Sequence, residues 1–155
     1  FIGDHGVSGN AAEVYPDAWT TERLTDEHVP LLFYAPFLFK GQKRSEAVSQ
    51  VDLLPTIASL AGQKYTNSTL GRNIITQHNE DHYAFIIHHD EGQIGLVSDS
   101  FYFTKNLNFK KEELHFLQPQ TSLSTAQQDS LKAKMSELTT AYYETAKWML
   151  LNNKK

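Results

Sequence analysis

An aspartate and a histidine stand side by side between two glycines, Gly3-Asp4-His5-Gly6, directly after the apolar residues Phe1 and Ile2. A carboxylate brings charge and an imidazole brings a borderline-soft nitrogen. On a backbone loosened by glycine the two suit a divalent metal ion, Zn²⁺ or Mn²⁺ better than Ca²⁺. The same residues also read as a turn aspartate beside a surface histidine. His28, immediately before an apolar run, is a second candidate: a substrate-contacting imidazole, or an ordinary loop or hydrogen-bonded structural histidine. A third group is His78, His82, His88, His89 and Asp90. His78 and His82 have helical spacing, but Asn79 stands where a zinc protease needs glutamate after the first histidine. On a strand, His88 and His89 point to opposite faces, so one of them can face a cleft. Solvated surface positions account for the group as well.

These residues need elements to hold them. Ligands of open α/β sheets collect outside the carboxyl ends of strands, and residues 1–3 read as the end of a buried strand. Strands average about five to six residues, so the chain is expected to be the C-terminal piece of a longer protein. Residues 6–27 contain Gly6, Gly9, Asn10, Pro16 and Asp17 and read as a long loop with one helical turn near 18–23. Residues 29–35, Val-Pro-Leu-Leu-Phe-Tyr-Ala, are continuously apolar and closed by Pro36. That pattern predicts a strand buried on both faces in a parallel sheet covered by helices.

Residues 52–61 predict a helix. Asp52 is placed to cap it, and Pro55 falls in the first turn, where N–H groups are free. Leu53, Leu54, Ile57, Leu60 and Ala61 share one face, and Gly62 suits the C′ position. Residues 65–72 are loop-like. Segments 83–88, 93–98, 100–105 and 113–117, with short turns between them, predict an antiparallel meander. Ser124 and Gln127 make a capping box that opens a long helix over 124–152. Leu131, Met135, Leu138, Tyr142, Thr145 and Met149 form its apolar stripe, expected to lie across the meander. Tyr142, Tyr143 and Trp148 read as core or interface, and Lys154 and Lys155 suit the negative helix end.

At 155 residues the length fits one domain. Apolar residues at 40% and charged residues at 21% are a globular balance. A net charge of −4 without long runs of one sign argues against a nucleic-acid partner. With 0 cysteines, the 155 residues hold no disulfide, thiolate metal site or cysteine nucleophile. Asn67-Ser68-Thr69 matches a glycosylation acceptor and reads as chance.

Three segments occur in order: Phe1-Ile2-Gly3-Asp4-His5-Gly6, then Glu27-His28-Val29-Pro30-Leu31-Leu32-Phe33-Tyr34-Ala35-Pro36, then Ser49-Gln50-Val51-Asp52-Leu53-Leu54-Pro55-Thr56-Ile57-Ala58-Ser59-Leu60-Ala61-Gly62. The series resembles the C-terminal part of the sulfatase and phosphoglycerol-transferase branch of the alkaline phosphatase superfamily. It looks most like the lipoteichoic acid synthase type, and Tyr65-Thr66-Asn67-Ser68-Thr69-Leu70-Gly71-Arg72 is similar to the segment after the helix in that type. The likeness is good over residues 1–75 and loose beyond.

The resemblance implies an α/β fold. Residues 1–75 would be the C-terminal portion of a three-layer sandwich, and residues 76–155 a small antiparallel sheet packed by the long helix. It implies that Asp4 and His5 bind the catalytic divalent metal, Mn²⁺, Zn²⁺, Mg²⁺ or Ca²⁺, and that His28 contacts the anionic group of the substrate. The implied activity is hydrolysis or transfer of sulfuric or phosphoric esters, on small-molecule, lipid or glycan substrates. The family nucleophile, a threonine, serine or formylglycine, lies well upstream of the matched motifs, so the chain alone is expected to be inactive without the rest of its parent polypeptide. The parent is expected to be membrane-anchored with its catalytic domain outside the cytoplasm. A non-catalytic binding or structural module of a degenerate relative is the alternative.

Overall fold

A run of short segments separated by close turns marks the second half of the chain. In the computed structural model, which describes residues 1–76, 82–118 and 122–152, it yields a four-stranded antiparallel sheet. Strands β1 (Ala84–His88), β2 (Gln93–Val97), β3 (Phe101–Asn106) and β4 (Glu112–Phe116) pair in sequence order. Phe85, Leu96, Phe103 and Leu114 stand opposite one another across the four strands. Because side chains alternate along each strand, these residues make one apolar face.

Helix α4 (Thr125–Asn152) lies across that face, as its stripe predicts. Met135 is fully buried with Leu96 and Phe103, and Leu131 and Leu138 pack beside them. The Tyr142 ring stacks on Phe85 at 5.7 Å. The capping box forms: the Ser124 N–H donates to Gln127 Oε1 at 2.9 Å, and the Gln127 N–H to Ser124 Oγ at 3.4 Å. Past Tyr142 the helix runs beyond the sheet. Thr145, Trp148, Leu150 and Leu151 are exposed, so Trp148 is not a core residue.

The other face of the sheet is covered by a stretch that reads as loop. Two single-turn helices, α1 (Ala18–Thr21) and α2 (Leu24–Glu27), are too short to show a period in sequence. Between them Arg23 adopts a left-handed conformation at φ 56°. That geometry is costly for a residue with a side chain, and hydrogen bonds from its guanidinium to Asp26 and Glu91 offset the cost. The break drives Leu24, 2% exposed, against Ile86, Tyr102 and Leu117. The sheet is therefore enclosed between α1–α2 and α4, and residues 1–28 are tied to the meander through Leu24.

Residues 29–35 depart from the expected parallel strand. One antiparallel bridge joins Ile2 to Leu31. The Gly3 N–H donates to Pro30 O at 3.1 Å and the Leu32 N–H to Phe1 O at 2.8 Å. A doubly buried strand needs neighbours along both edges and helices on both faces. Among the described residues nothing supplies them, and Phe1, Leu32 and Tyr34 are exposed. Helix α3 (Leu53–Leu60) shows the same contrast: Pro55 and Thr56 are buried, whereas Leu54 and Ile57 of the apolar face are exposed. Its end is as expected. Gly62 takes φ 63°, and the Gly62 and Gln63 N–H groups close back on Ser59 O and Ala58 O.

Truncation of Leu24 is expected to be costly. Leu24→Ala should lower the free energy of unfolding by about 2–5 kcal/mol, whereas Leu150→Ala on exposed α4 should change it by less than about 0.5 kcal/mol. Denaturant titration of the two variants checks the contrast.

Candidate functional site

The site is built from a buried carboxylate outward. Asp52, 4% exposed, accepts hydrogen bonds from the Ser49 N–H and the Arg72 N–H, each at 2.9 Å, and lies 3.5 Å from Arg72 Nε. The expected cap on α3 is thus replaced by a different one. Ser49 caps a 3-10 turn over Gln50–Asp52, Asp52 closes that capping box, and its side chain makes no capping bond to α3. A tight 3-10 turn ahead of the helix leaves the carboxylate facing back along the chain instead of into the first α-turn.

The 3-10 turn begins with Gln50. Its Nε2 donates to the carbonyls of Gly3 at 3.0 Å and Asp4 at 2.9 Å. On the far side of the turn the Gly6 N–H donates to Asp26 O at 2.8 Å. A Cβ on Gly6 would collide with the carbonyl oxygens of Thr25 and Asp26, so only glycine allows this approach. Asp4 and His5 are therefore held from both ends, by the 3-10 turn and by α2.

Within the turn, the His5 N–H donates to Asp4 Oδ1 at 3.0 Å. His5 Nδ1 lies 2.8 Å from Gly6 O. A carbonyl oxygen only accepts, so the network places the proton on Nδ1 and leaves the lone pair of Nε2 free. Asp4 Oδ2 stands 3.8 Å from that Nε2, and both side chains are open to solvent. Hydrogen bonding from the His5 backbone keeps the Asp4 carboxyl below its ordinary value of 3.8. The Gly6 carbonyl, and then the Asp4 charge, raise the His5 imidazole above 6.5.

An ionised carboxylate oxygen and an imidazole nitrogen at this separation fit two positions of a metal shell with bonds of about 2.0–2.2 Å after modest side-chain rotation. The Nδ1–H bond to a carbonyl is the outer contact that metal-binding histidines commonly make. Among the described residues, no group of three or more histidines, aspartates or glutamates is gathered to hold a metal.

His28 closes α2, with its N–H on Leu24 O at 2.9 Å. Its ring meets Trp19 edge-on at 5.0 Å and Tyr15 at 5.9 Å, and those two stack on each other at 4.4 Å. Partial desolvation disfavours the charged imidazole and lowers the His28 pKa. Asp4, His5 and His28 line one cleft of about 440 Å³, whose opposite wall includes Ile86, Val97 and Leu117. The later histidines do not line it. His88 faces Glu27 at 3.4 Å, His89 and Asp90 are exposed in the turn after β1, and His82 lines a small separate hollow with Glu46. His78 lies outside the described residues. Gln50 and Trp19 carry no chemical pattern in the sequence, and only the fold brings them to the cleft.

Residues 1–63 match the family model described as Sulfatase. The matched segment contains Asp4, His5, His28 and Gln50, and the match supports a relationship to the sulfatase-like members of the alkaline phosphatase superfamily. The architecture, α/β with a four-stranded antiparallel sheet and a long C-terminal helix, is compatible with the C-terminal portion of such a fold. No curated protein and no solved structure matches the chain.

The two cleft histidines are expected to titrate on opposite sides of 6.5, His5 above and His28 below. By linkage, the His5 contribution to stability is present below 6.5 and lost as pH rises through its folded midpoint. The His28 contribution is present above 6.5 and lost as pH falls through its own. NMR titration of the ring Cε1–H signals, assigned with His5→Gln and His28→Gln, reads both midpoints.

Proposed function

We propose that residues 1–63 furnish part of the active site of a metal-dependent enzyme acting on sulfuric or phosphoric esters. In this reading Asp4 Oδ2 and His5 Nε2 are two ligands of a divalent cation, Mn²⁺, Zn²⁺, Mg²⁺ or Ca²⁺, and His28 contacts the ester's anionic group. The observation that carries it is the convergence of the Asp4 carboxylate and the free His5 nitrogen at the rim of the cleft that His28 shares, inside the segment that matches the Sulfatase model.

The division of labour follows from the groups present. Asp4, with its lowered pKa, is ionised at neutral pH and supplies negative charge. His5 is fixed in the tautomer that offers Nε2. His28, packed on Trp19, presents a ring N–H to a non-bridging oxygen without the full desolvation cost of a buried cation. A bound divalent cation polarises the ester oxygen and stabilises the charge that develops on it. The attacking hydroxyl, or the hydrated aldehyde of a formylglycine, comes in this reading from another part of the parent polypeptide, so the 155-residue chain alone turns over no ester.

The ordered motifs favour the phosphoglycerol-transferase branch and its lipoteichoic acid synthase type within the wider family. The substrates are then small-molecule, lipid or glycan esters, and the parent is membrane-anchored with this part outside the cytoplasm. Among the described residues no helix is long and apolar enough to cross a membrane. The net charge of −4 leaves nucleic acid an unfavoured partner.

Metal analysis of the parent protein after dialysis against Mn²⁺ or Zn²⁺ tests the assignment. Asp4→Ala and His5→Ala are each expected to lose bound metal and ester hydrolysis together. In the wild type, affinity should fall as pH drops through the His5 midpoint, because the proton competes for Nε2. Unchanged metal content in Asp4→Ala would overturn the ligand assignment.

A further inference from the structure

We infer that Gln50 is a positioning residue for the Asp4–His5 pair: its side-chain amide clamps two successive carbonyls and so sets the geometry in which the carboxylate and imidazole converge. The inference rests on the reading of Asp4 and His5 as cation ligands, but the clamp itself is a property of the chain without metal.

An amide NH₂ has two N–H bonds. Gln50 directs both of them at consecutive acceptors, Gly3 O at 3.0 Å and Asp4 O at 2.9 Å. Both partners are carbonyl oxygens, so the network admits only the amide orientation that points nitrogen at them. The contact spans 46 residues of sequence and is the direct side-chain tether from the 3-10 turn to the Asp-His turn. Without it, the carbonyls of Gly3 and Asp4 lose their side-chain donor, and the turn keeps only the flanking bonds from Gly3 N–H to Pro30 O and from Gly6 N–H to Asp26 O. The Asp4 side chain leaves from that same turn, and the 3.8 Å separation from His5 Nε2 depends on its orientation.

The clamp is firm because its base is firm. Gln50 is the first residue of the 3-10 turn, and that turn is fixed by the Ser49–Asp52 capping box and by Arg72 on Asp52. Gln50 itself is exposed and supports no part of the hydrophobic core. Its removal therefore perturbs the site and leaves the fold standing, which separates positioning from stability.

The test is Gln50→Met, a neutral side chain of similar length without N–H donors. Three measurements are made on the parent protein: ¹⁵N order parameters of Asp4 and His5 without metal, Mn²⁺ affinity, and the thermal midpoint. The order parameters are expected to fall from about 0.85 toward 0.6 or below. Mn²⁺ affinity should weaken about 10- to 100-fold, the range seen when an outer-shell partner of a ligand is lost. The thermal midpoint should stay within about 2 °C of wild type, as for a surface change that leaves the core intact. Gln50→Lys, which restores donors on a long side chain, should recover most of the order and affinity. Unchanged order parameters in Gln50→Met overturn the clamp. If the parent binds no Mn²⁺, or Asp4→Ala binds as wild type does, the ligand reading fails, while the order parameters still decide the role of Gln50.

Discussion

The carboxylate of Asp52 joins the 3-10 turn to Arg72, 20 residues further along the chain. It receives the Ser49 N–H, the Arg72 N–H and the Arg72 guanidinium in a position almost closed to water. Taking a charge out of water costs several kcal/mol unless partners replace the lost hydration, so the arrangement holds only when all the partners are in place. Arg72 in turn donates to Ala47 O and Tyr83 O, each at 3.3 Å. One ion pair thereby fixes the 3-10 turn, the loop before it and the approach to β1. Gln50 and the Asp-His turn hang from that frame.

A second constraint is the two-faced sheet. Its α4 side is an ordinary apolar contact between a helix stripe and alternating strand residues. Its other side mixes Tyr102, His115 and Ile86, and it is covered by single-turn helices with too little area for a continuous stripe. There the packing relies on one deep residue, Leu24, and on polar contacts at the margins: His115 with Glu22 at 3.3 Å, His88 with Glu27 at 3.4 Å, and the Arg23–Glu91 ion pair at 2.6 Å. This layer also carries Trp19 and His28 into the cleft.

The parts of this architecture that sequence reveals are those whose cause is local. The meander follows from short segments with close turns between them, α4 from its stripe and capping box, and the end of α3 from Gly62, because each is decided within a few residues of chain. Residues 29–35 mislead because a continuous apolar run records the need for cover, and cover is not local: the same residues make one bridge and leave Tyr34 exposed. α1 falls where one helical turn is expected, near 18–23, but α2 is hidden because a four-residue helix has no period and Arg23, which separates the two, is not a type that signals a left-handed backbone. At the candidate site, the Asp4–His5 pair alone also reads as a turn beside a surface histidine, and it is the three ordered motifs that single it out. Gln50 is invisible because a glutamine beside a helix start is commonplace, and its meaning comes only from the two carbonyls it meets.

Electrostatics then distinguish the three groups of the cleft. Asp4 and His5 are perturbed by hydrogen bonds that the turn itself imposes, while His28 is perturbed by desolvation against aromatic rings. The first kind of shift costs the fold little, because both side chains remain in water and only the backbone is fixed. It biases the Asp4 carboxylate toward its anion and the His5 imidazole toward its protonated form. The second kind biases His28 toward its uncharged form. A turn pinned by Gln50 and Gly6 therefore stands beside a histidine packed on Trp19, and one carboxylate and two imidazoles line the same cleft.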